Sequence, residues 1–287
     1  MIEARQLTFG VEIETVAPDH LVRQEGGLRL RIGPRHRGIQ VPYLPVGWRA
    51  EQDCSIAADH GGHACEIVSP ILQGPEGLAA VTQALQVLKD KGHSVNASCG
   101  VHVHVGWPRQ LPAEALARLV TMVAYVEKGL YAITGTKNRE RGTYCRGVRR
   151  YNDRTNATDQ IERVRYHVLN LTNLANSTKR TIEFRVFSGS LNPIKVVGWV
   201  QVCLGLVERA LNGKRTPVWS PKPPSGGWKK PGEGQSEVER LLGFLAWGPG
   251  YARIHGGRQY GWMLDAETQD AVKAEFRRLA RKYDEQA

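Results

Sequence analysis

An α+β fold is what this 287-residue sequence predicts, on three observations. Short stretches alternate apolar and polar residues with the period of two that a strand imposes on its two faces. Longer stretches carry apolar residues at helical spacing between a proline near the start and a glycine past the end. The two kinds follow one another without the regular strand-helix-strand alternation of a doubly wound parallel sheet, and no internal repeat is present.

Strands are expected at 6–15, 63–69, 93–106 and 180–187. Helices are expected at 75–92, 112–135, 195–212, 236–246 and 266–283. The first of these, "PEGLAAVTQALQVLKDKG", opens with Pro75 in its first turn and closes at Gly92, and the second repeats that design from Pro112 to Gly135. The stretch 213–235, rich in Pro, Gly and Lys, reads as a long loop in which Trp219 and Trp228 offer contacts back to the body. The organisation expected is one catalytic domain across 1–287, with 236–287 its helical C-terminal part; a domain boundary within the loop is the alternative.

Hydrophobic residues at 41% and charged residues at 23% are those of a soluble globular chain. No apolar run approaches the roughly 18 residues that cross a bilayer, and the N-terminus lacks a signal-peptide profile. A cytoplasmic protein without a membrane partner is therefore expected. Cys54, Cys65, Cys99, Cys145 and Cys203 are scattered and contain no Cys-x-x-Cys pair, so reduced thiols are expected rather than a disulfide framework or a zinc knuckle. The 39 Lys and Arg against 28 Asp and Glu leave a net charge of +11, which favours anionic partners such as nucleotides, nucleic acid or another polyanion. Much of the excess lies in "RLRIGPRHRG" from Arg29, in "KNRERGTYCRGVRR" from Lys137, and in the last helix, where the spacing suits a solvated face.

Three strands share one design. "FGVEIET" sets Glu12 and Glu14 on one face against Val11 and Ile13; "CGVHVHVG" sets His102 and His104 against Val101, Val103 and Val105; "TIEFRVF" sets Glu183 and Arg185 against Ile182, Phe184 and Val186. A face that merely meets water would carry Thr, Ser and Lys. Clustered carboxylates repel one another unless cations sit among them, and oxygen-rich ligation with one imidazole suits Mg²⁺ or Mn²⁺ better than zinc. An arginine beside such ions serves phosphate, whose oxygens its planar fork binds in pairs. Metal, phosphate and a basic surface together imply a nucleotide, yet no Gly-x-x-x-x-Gly-Lys loop or dinucleotide fingerprint is present. The site must be built on a sheet.

With "DCSIAADHGGHACEIVSP", "NRERGTYC" and "RYHVLNL" added, these motifs follow one another across residues 9–192 as they do in the amidoligases, and the sequence resembles that family, relatives of glutamine synthetase and glutamate-cysteine ligase. The resemblance implies a glutamine synthetase-like curved antiparallel sheet with helices packed on its outer face, holding ATP and Mg²⁺ ions, with Mn²⁺ the alternative. It implies an ATP-dependent carboxylate-amine ligase that forms an amide through an acyl phosphate and releases ADP and phosphate. Its metal ligands map to Glu12, Glu14, Glu66, His102 and Glu183. Arg180 and Arg185 map to arginines that face the phosphates and act in catalysis, with His104 beside them. In that chemistry a carboxylate such as Asp53 could hold the incoming ammonium and accept its proton, and Ser55, Arg141, Tyr144, Arg165, Tyr166 and Asn170 are the candidates for binding the carboxylate donor and amine acceptor, with a surface pair the alternative for Arg165 and Tyr166 and a solvated loop the alternative for Arg141. For Asp53 a turn cap, and for Asn170 a bond to backbone, are the plainer alternatives. Arg139 is an alternative to Arg141, and Cys145 reads as a packing residue rather than a nucleophile. Two other functions compete, a metal-dependent hydrolase using His102 and His104, and a nucleic-acid-binding protein without catalysis. The first lacks the repeated βα units of barrel hydrolases, and the second leaves the one-faced Glu and His strands unexplained.

Overall fold

The computed structural model describes residues 1–23, 29–58, 61–108, 113–176, 179–219, 236–248 and 257–286. Its strands are β1 (Thr8–Ala17), β2 (Ile39–Gln40), β3 (Arg49–Glu51), β4 (His63–Val68), β5 (Leu72–Gln73), β6 (Gly100–Gly106), β7 (Leu169–Asn170) and β8 (Thr181–Ser188). They form one open sheet in the order β2-β3-β4-β1-β6-β8-β7, every pairing antiparallel, with β5 continuing along the β1 edge beyond β4. The helices are α1 (Asp19–Arg23), α2 (Gly74–Asp90), α3 (Ala113–Ala132), α4 (Asn138–Arg141), α5 (Arg154–Arg163), α6 (Thr172–Asn176), α7 (Pro193–Asn212), α8 (Glu237–Phe244) and α9 (Ala266–Asp284). This is the α+β antiparallel architecture the sequence predicts.

The apolar alternate residues of the three central strands explain which face the helices cover. Val11, Ile13, Val101, Val103, Val105, Ile182 and Phe184 are fully buried in the main hydrophobic core. Helix α7 packs on β6, α3 packs on β8, and α2 lies against α7. Phe187 of β8 stacks on Trp199 of α7 with ring centroids 4.9 Å apart, and the Trp199 indole donates to the Ile133 carbonyl at 3.1 Å. Helix starts are fixed by local chemistry: Asn192 accepts from the Ile194 and Lys195 amides ahead of Pro193, and Asp265 accepts from the Thr268 amide at 2.7 Å.

Two irregularities open the other face. Between β6 and β8 the register shifts, pairing Val101 with Phe187 but Val103 with Phe184, so β8 spends one extra residue opposite His102. Between β4 and β5 the chain leaves β1 at Ser69–Pro70–Ile71, and the Ser69 hydroxyl accepts from the Val11 amide at 2.9 Å where the ladder is interrupted.

The expected strand at 93–106 begins only at Gly100. Ser94 pairs with Val16 as an isolated bridge, after which the Asn96 side chain accepts from the Ser98 amide and hydroxyl and folds the segment into a turn. The long loop expected at 213–235 is described only to Trp219, which packs against the core; Trp228 lies outside the described residues. All five cysteines are free thiols.

Candidate active site

Register gathers the charged residues. Across β1 and β6, Glu12 stands opposite His102; across β1 and β4, Glu14 stands opposite Glu66. Across β6 and β8, His104 stands opposite Glu183, which in turn stands opposite Asn170 of β7. Directly opposed residues have Cβ atoms about 5 Å apart, so six carboxylate and imidazole side chains from four strands converge without help from any loop.

His102 is the hub. Its Nδ1 lies 3.2 Å from Glu12 Oε2, 3.6 Å from Glu183 Oε1 and 3.9 Å from Glu66 Oε1, and its Nε2 lies 3.5 Å from Glu14 Oε1. Two overlapping groups, Glu12–His102–Glu183 and Glu14–Glu66–His102, each bring their ligand atoms within 4.8 Å of one another. Glu14, Glu66, His102 and Glu183 are buried. Around them, Glu14 accepts from the Gly100 amide at 2.5 Å, Asn170 donates to Glu183 at 2.5 Å, and Arg185 donates to the other Glu183 oxygen.

The electrostatics divide the acids. Burial pushes the Glu66 carboxyl well above its ordinary value, and the neighbouring Glu12 and Glu14 carboxylates add to the push. Burial also opposes ionised Glu12 and Glu183, but His104 and His102 hold Glu12 well below the usual range, and His104 and Arg185 lower Glu183. His104, lowered by burial, is raised on balance by Glu12 and Glu183; its Nε2 stands 3.0 Å from Glu12 Oε1. A buried carboxyl forced toward protonation among other carboxylates is the donor set that a divalent cation relieves, so these residues fit a metal ion.

Among the described residues, three cavities border the cluster. The largest, about 430 Å³, lies where β4 breaks into β5 and is lined by Phe9, Gly10, Val11, Pro70 and Ile71 together with Glu12, His104 and Lys179. A second, of about 130 Å³, lies over the acids and is lined by Glu12, Glu66, Glu183 and His104 together with Arg35, His36, Arg165 and Lys179. The third, of about 230 Å³, lies on the far side, between Glu14, His102 and Arg185 and the residues Ser55, Arg139, Tyr144 and Cys145.

The other residues expected at the site divide in the same way. Tyr144 and Ser55 line the third cavity, and Arg165 lines the second with Asn170. Tyr166 packs edge-to-face on Tyr144 at 5.4 Å. Asn170 is spent on Glu183 and on capping the Thr172 amide. Asp53 accepts from both the amide and the hydroxyl of Ser55, so one of its oxygens serves a turn. Arg180, in a left-handed conformation at φ 47° ahead of β8, and Arg141 are not among the residues lining these cavities. Cys145 is buried and its thiol is pushed up to about 11, as a packing residue should be. Sequence reasoning missed Arg35, Lys179 and the full weight of Arg139, which donates to the Arg185 carbonyl at 2.6 Å and lines the third cavity where Arg141 does not.

No curated protein matches the chain. Among solved structures it is similar to the complex of "Prokaryotic Ubiquitin-like Protein Pup and its Ligase PafA", at 10% identity and a TM-score of 0.45, covering 97% of this chain and 63% of that one. It is also similar to a "novel glutamine synthase homolog" at 12% identity and a TM-score of 0.41, over 96% of this chain and 71% of that chain. The "GmaS/ADP complex" matches at 13% identity and a TM-score of 0.40, over 96% of this chain and 68% of that one. The chain thus spans less than two thirds of the first of these relatives. Residues 5–154, just over half of the sequence, match the family described as "Putative amidoligase enzyme", a span that holds β1, β4, β6 and five of the six converging acid and histidine residues, and the chain belongs to that family.

Proposed function

We propose that this chain is an ATP-dependent carboxylate-amine ligase that forms an amide through an acyl phosphate, releasing ADP and phosphate. The observation that carries the reading is the pair of acid groups sharing His102, set between an apolar cavity on one side and an arginine-lined cavity on the other. Glu12, Glu14, Glu66, His102 and Glu183 would hold divalent cations, Mg²⁺ or Mn²⁺. Such ions neutralise the oxygens of a transferring phosphoryl group and orient it for in-line transfer.

The chain's own residues supply the rest. The cavity of about 430 Å³ suits a flat, largely apolar base, and the cationic groups among its lining, His104 and Lys179, suit the phosphates. A carboxylate donor in the third cavity would meet Arg185, whose guanidinium is held by Glu183, and Arg139, with Tyr144 and Ser55 at the mouth. His104, favoured in its protonated form, faces the phosphate side; Arg180 remains a candidate for the same role. A free carboxylate resists attack because its charge is delocalised, and phosphorylation supplies a leaving group that an amine displaces. The Asp53 oxygen not committed to Ser55 could hold that amine as ammonium and take its proton. Residues 1–287 would act as one catalytic domain, since the main core draws on residues from Ala4 to Tyr283.

The test is calorimetric and then chemical. Mg·ATP should bind and ATP in excess chelator should not. Screening of carboxylate and amine pairs should then find phosphate release, with ¹⁸O from the donor carboxylate carried into that phosphate. Equal ATP affinity in chelator, or AMP and pyrophosphate as products, would overturn the reading.

A further inference from the structure

The basic segment at 29–38 ends in a turn built with more care than a solvated loop requires. The Arg37 amide donates to the Pro34 carbonyl at 2.9 Å, closing a four-residue turn with Arg35 and His36 at its tip. His36 has φ 63°, a left-handed conformation that costs a residue with a side chain about 1 kcal/mol or more. Glu51 of β3 offsets that strain: one oxygen accepts from the His36 amide at 2.6 Å and the other from the Gly38 amide at 3.3 Å. The neck is closed as well. A Cβ on Gly33 would lie 2.3 Å from the Arg37 carbonyl, and one on Gly38 would lie 2.8 Å from Glu51 Cγ, so neither position accepts another residue without moving the turn.

What the turn delivers is Arg35. It lines the cavity over the acids, together with Arg165 and Lys179 from the opposite end of the sheet, and its charge reaches far enough to help lower Asp53. Arg35 itself is exposed and makes no hydrogen bond or close ion pair with another described residue, so its guanidinium is not spent on holding the fold. The Nε of Arg165 is buried there without a hydrogen-bond partner. Strained backbone that surrounding groups over-determine is found where geometry serves a ligand.

We infer that Arg35 binds the outer phosphates of the nucleoside triphosphate and that Glu51 is the positioning residue that aims it. The inference rests on the ligase reading for the identity of the ligand. Across the small cavity, Arg35 on one wall and Arg165 and Lys179 on the other present donors to an anion lying on the acid cluster, an arrangement a polyphosphate with its cations fits and a neutral amine does not.

The experiment compares Mg·ATP with AMP by calorimetry on the full chain. Arg35→Met, at an exposed position, should keep the wild-type melting temperature and weaken Mg·ATP by about 10-fold or more, the worth of a charge-assisted bond, while AMP affinity stays unchanged. Arg35→Lys should recover part of the loss. Glu51→Gln should weaken Mg·ATP selectively too, by less than Arg35→Met, because one of the two amide acceptors is lost; a merely structural Glu51 would lower the melting temperature and leave the ATP-to-AMP ratio alone. If the wild type binds Mg·ATP and Arg35→Met binds it equally well, or loses ATP and AMP alike, the assignment of Arg35 is overturned with the ligase reading intact. If the wild type binds no Mg·ATP, the ligase reading itself falls, and this assignment with it.

Discussion

On β1, β6 and β8 the same backbone presents two unlike surfaces. Toward the helices it presents Val11, Ile13, Val101, Val103, Val105, Ile182 and Phe184, each fully buried and each contributing about 1.5–3 kcal/mol through burial. Toward the cavities it presents Glu12, Glu14, His102, His104, Glu183 and Arg185, where burial opposes ionised Glu12 and Glu183 as it opposes ionised Glu66 on the neighbouring β4. On the first surface almost any apolar side chain of the right volume would serve. On the second, one extra methylene or one missing charge changes the chemistry. The contrast teaches that the acid face is not there for stability; it is an unfavourable arrangement held in place by the opposite face of the same strands.

The largest break in that comparison comes from Glu183→Gln. The change is nearly isosteric, leaves the β8 ladder intact, and removes one anionic oxygen from the group around His102 and from Arg185. Loss of groups that merely orient metal ligands costs about 10–100-fold, so turnover measured as ADP release should fall by about 100-fold or more. The melting temperature should stay near that of the wild type. Unchanged turnover would make Glu183 a strand residue like its neighbours, and the two faces would no longer differ in kind.

The two faces were legible in the sequence because a strand's period is two and the residue types on each side are so unlike. Helices α2, α3, α7, α8 and α9 were legible for a similar reason, since prolines, caps and 3.6-residue spacing mark them. Strands of two or three residues, such as β2, β3 and β7, carry no periodicity and were missed. With them went the partners they bring: Glu51 and His36 are 15 residues apart in sequence and meet only through the β2–β3 hairpin. The choice between Arg139 and Arg141 was equally hidden. Two positions along a helix are about 200° apart, so one faces the cavity and the other does not, and only the docking of the four-residue α4 decides which.

A smaller effect sharpens the contrast from the helix side. Glu127 of α3 is also a buried carboxylate, but its oxygen accepts from the Val148 amide at 2.5 Å and the Arg149 amide at 3.2 Å, and among the described residues it belongs to no metal-sized group of acids. Burial raises it from 4.5 to about 7 despite those bonds. An acid raised on folding stabilises the folded state below its unfolded value and loses that contribution as pH rises through the folded one, here between pH 4.5 and 7. Relative to Glu127→Gln, the wild type should therefore lose about 3 kcal/mol between pH 4 and pH 8, read from urea midpoints. A pH-independent difference would mean that the carboxylate is as well solvated by amides as by water. Because Glu127 lies away from the cavities, Mg·ATP affinity should not follow the change.

The smallest effect expected is the one that isolates the comparison to adjacent residues. Val103 lies between His102 and His104 on β6, has no exposed surface, and points into the helix-covered core. Val103→Ala removes two methyl groups and leaves a small cavity, which should destabilise the fold by about 1–2 kcal/mol, less than the loss of a larger aliphatic side chain. If the faces are independent, ADP release per folded molecule should stay within about twofold of wild type, because the β1–β6–β8 register that places both histidines is set by backbone bonds that the substitution leaves alone. A drop in turnover approaching that of Glu183→Gln, with the melting temperature lowered only by the expected amount, would show instead that packing on the core side sets the position of His102 to within a fraction of an ångström. The two surfaces would then be one mechanical unit, and the division drawn between them would hold for chemistry but not for geometry.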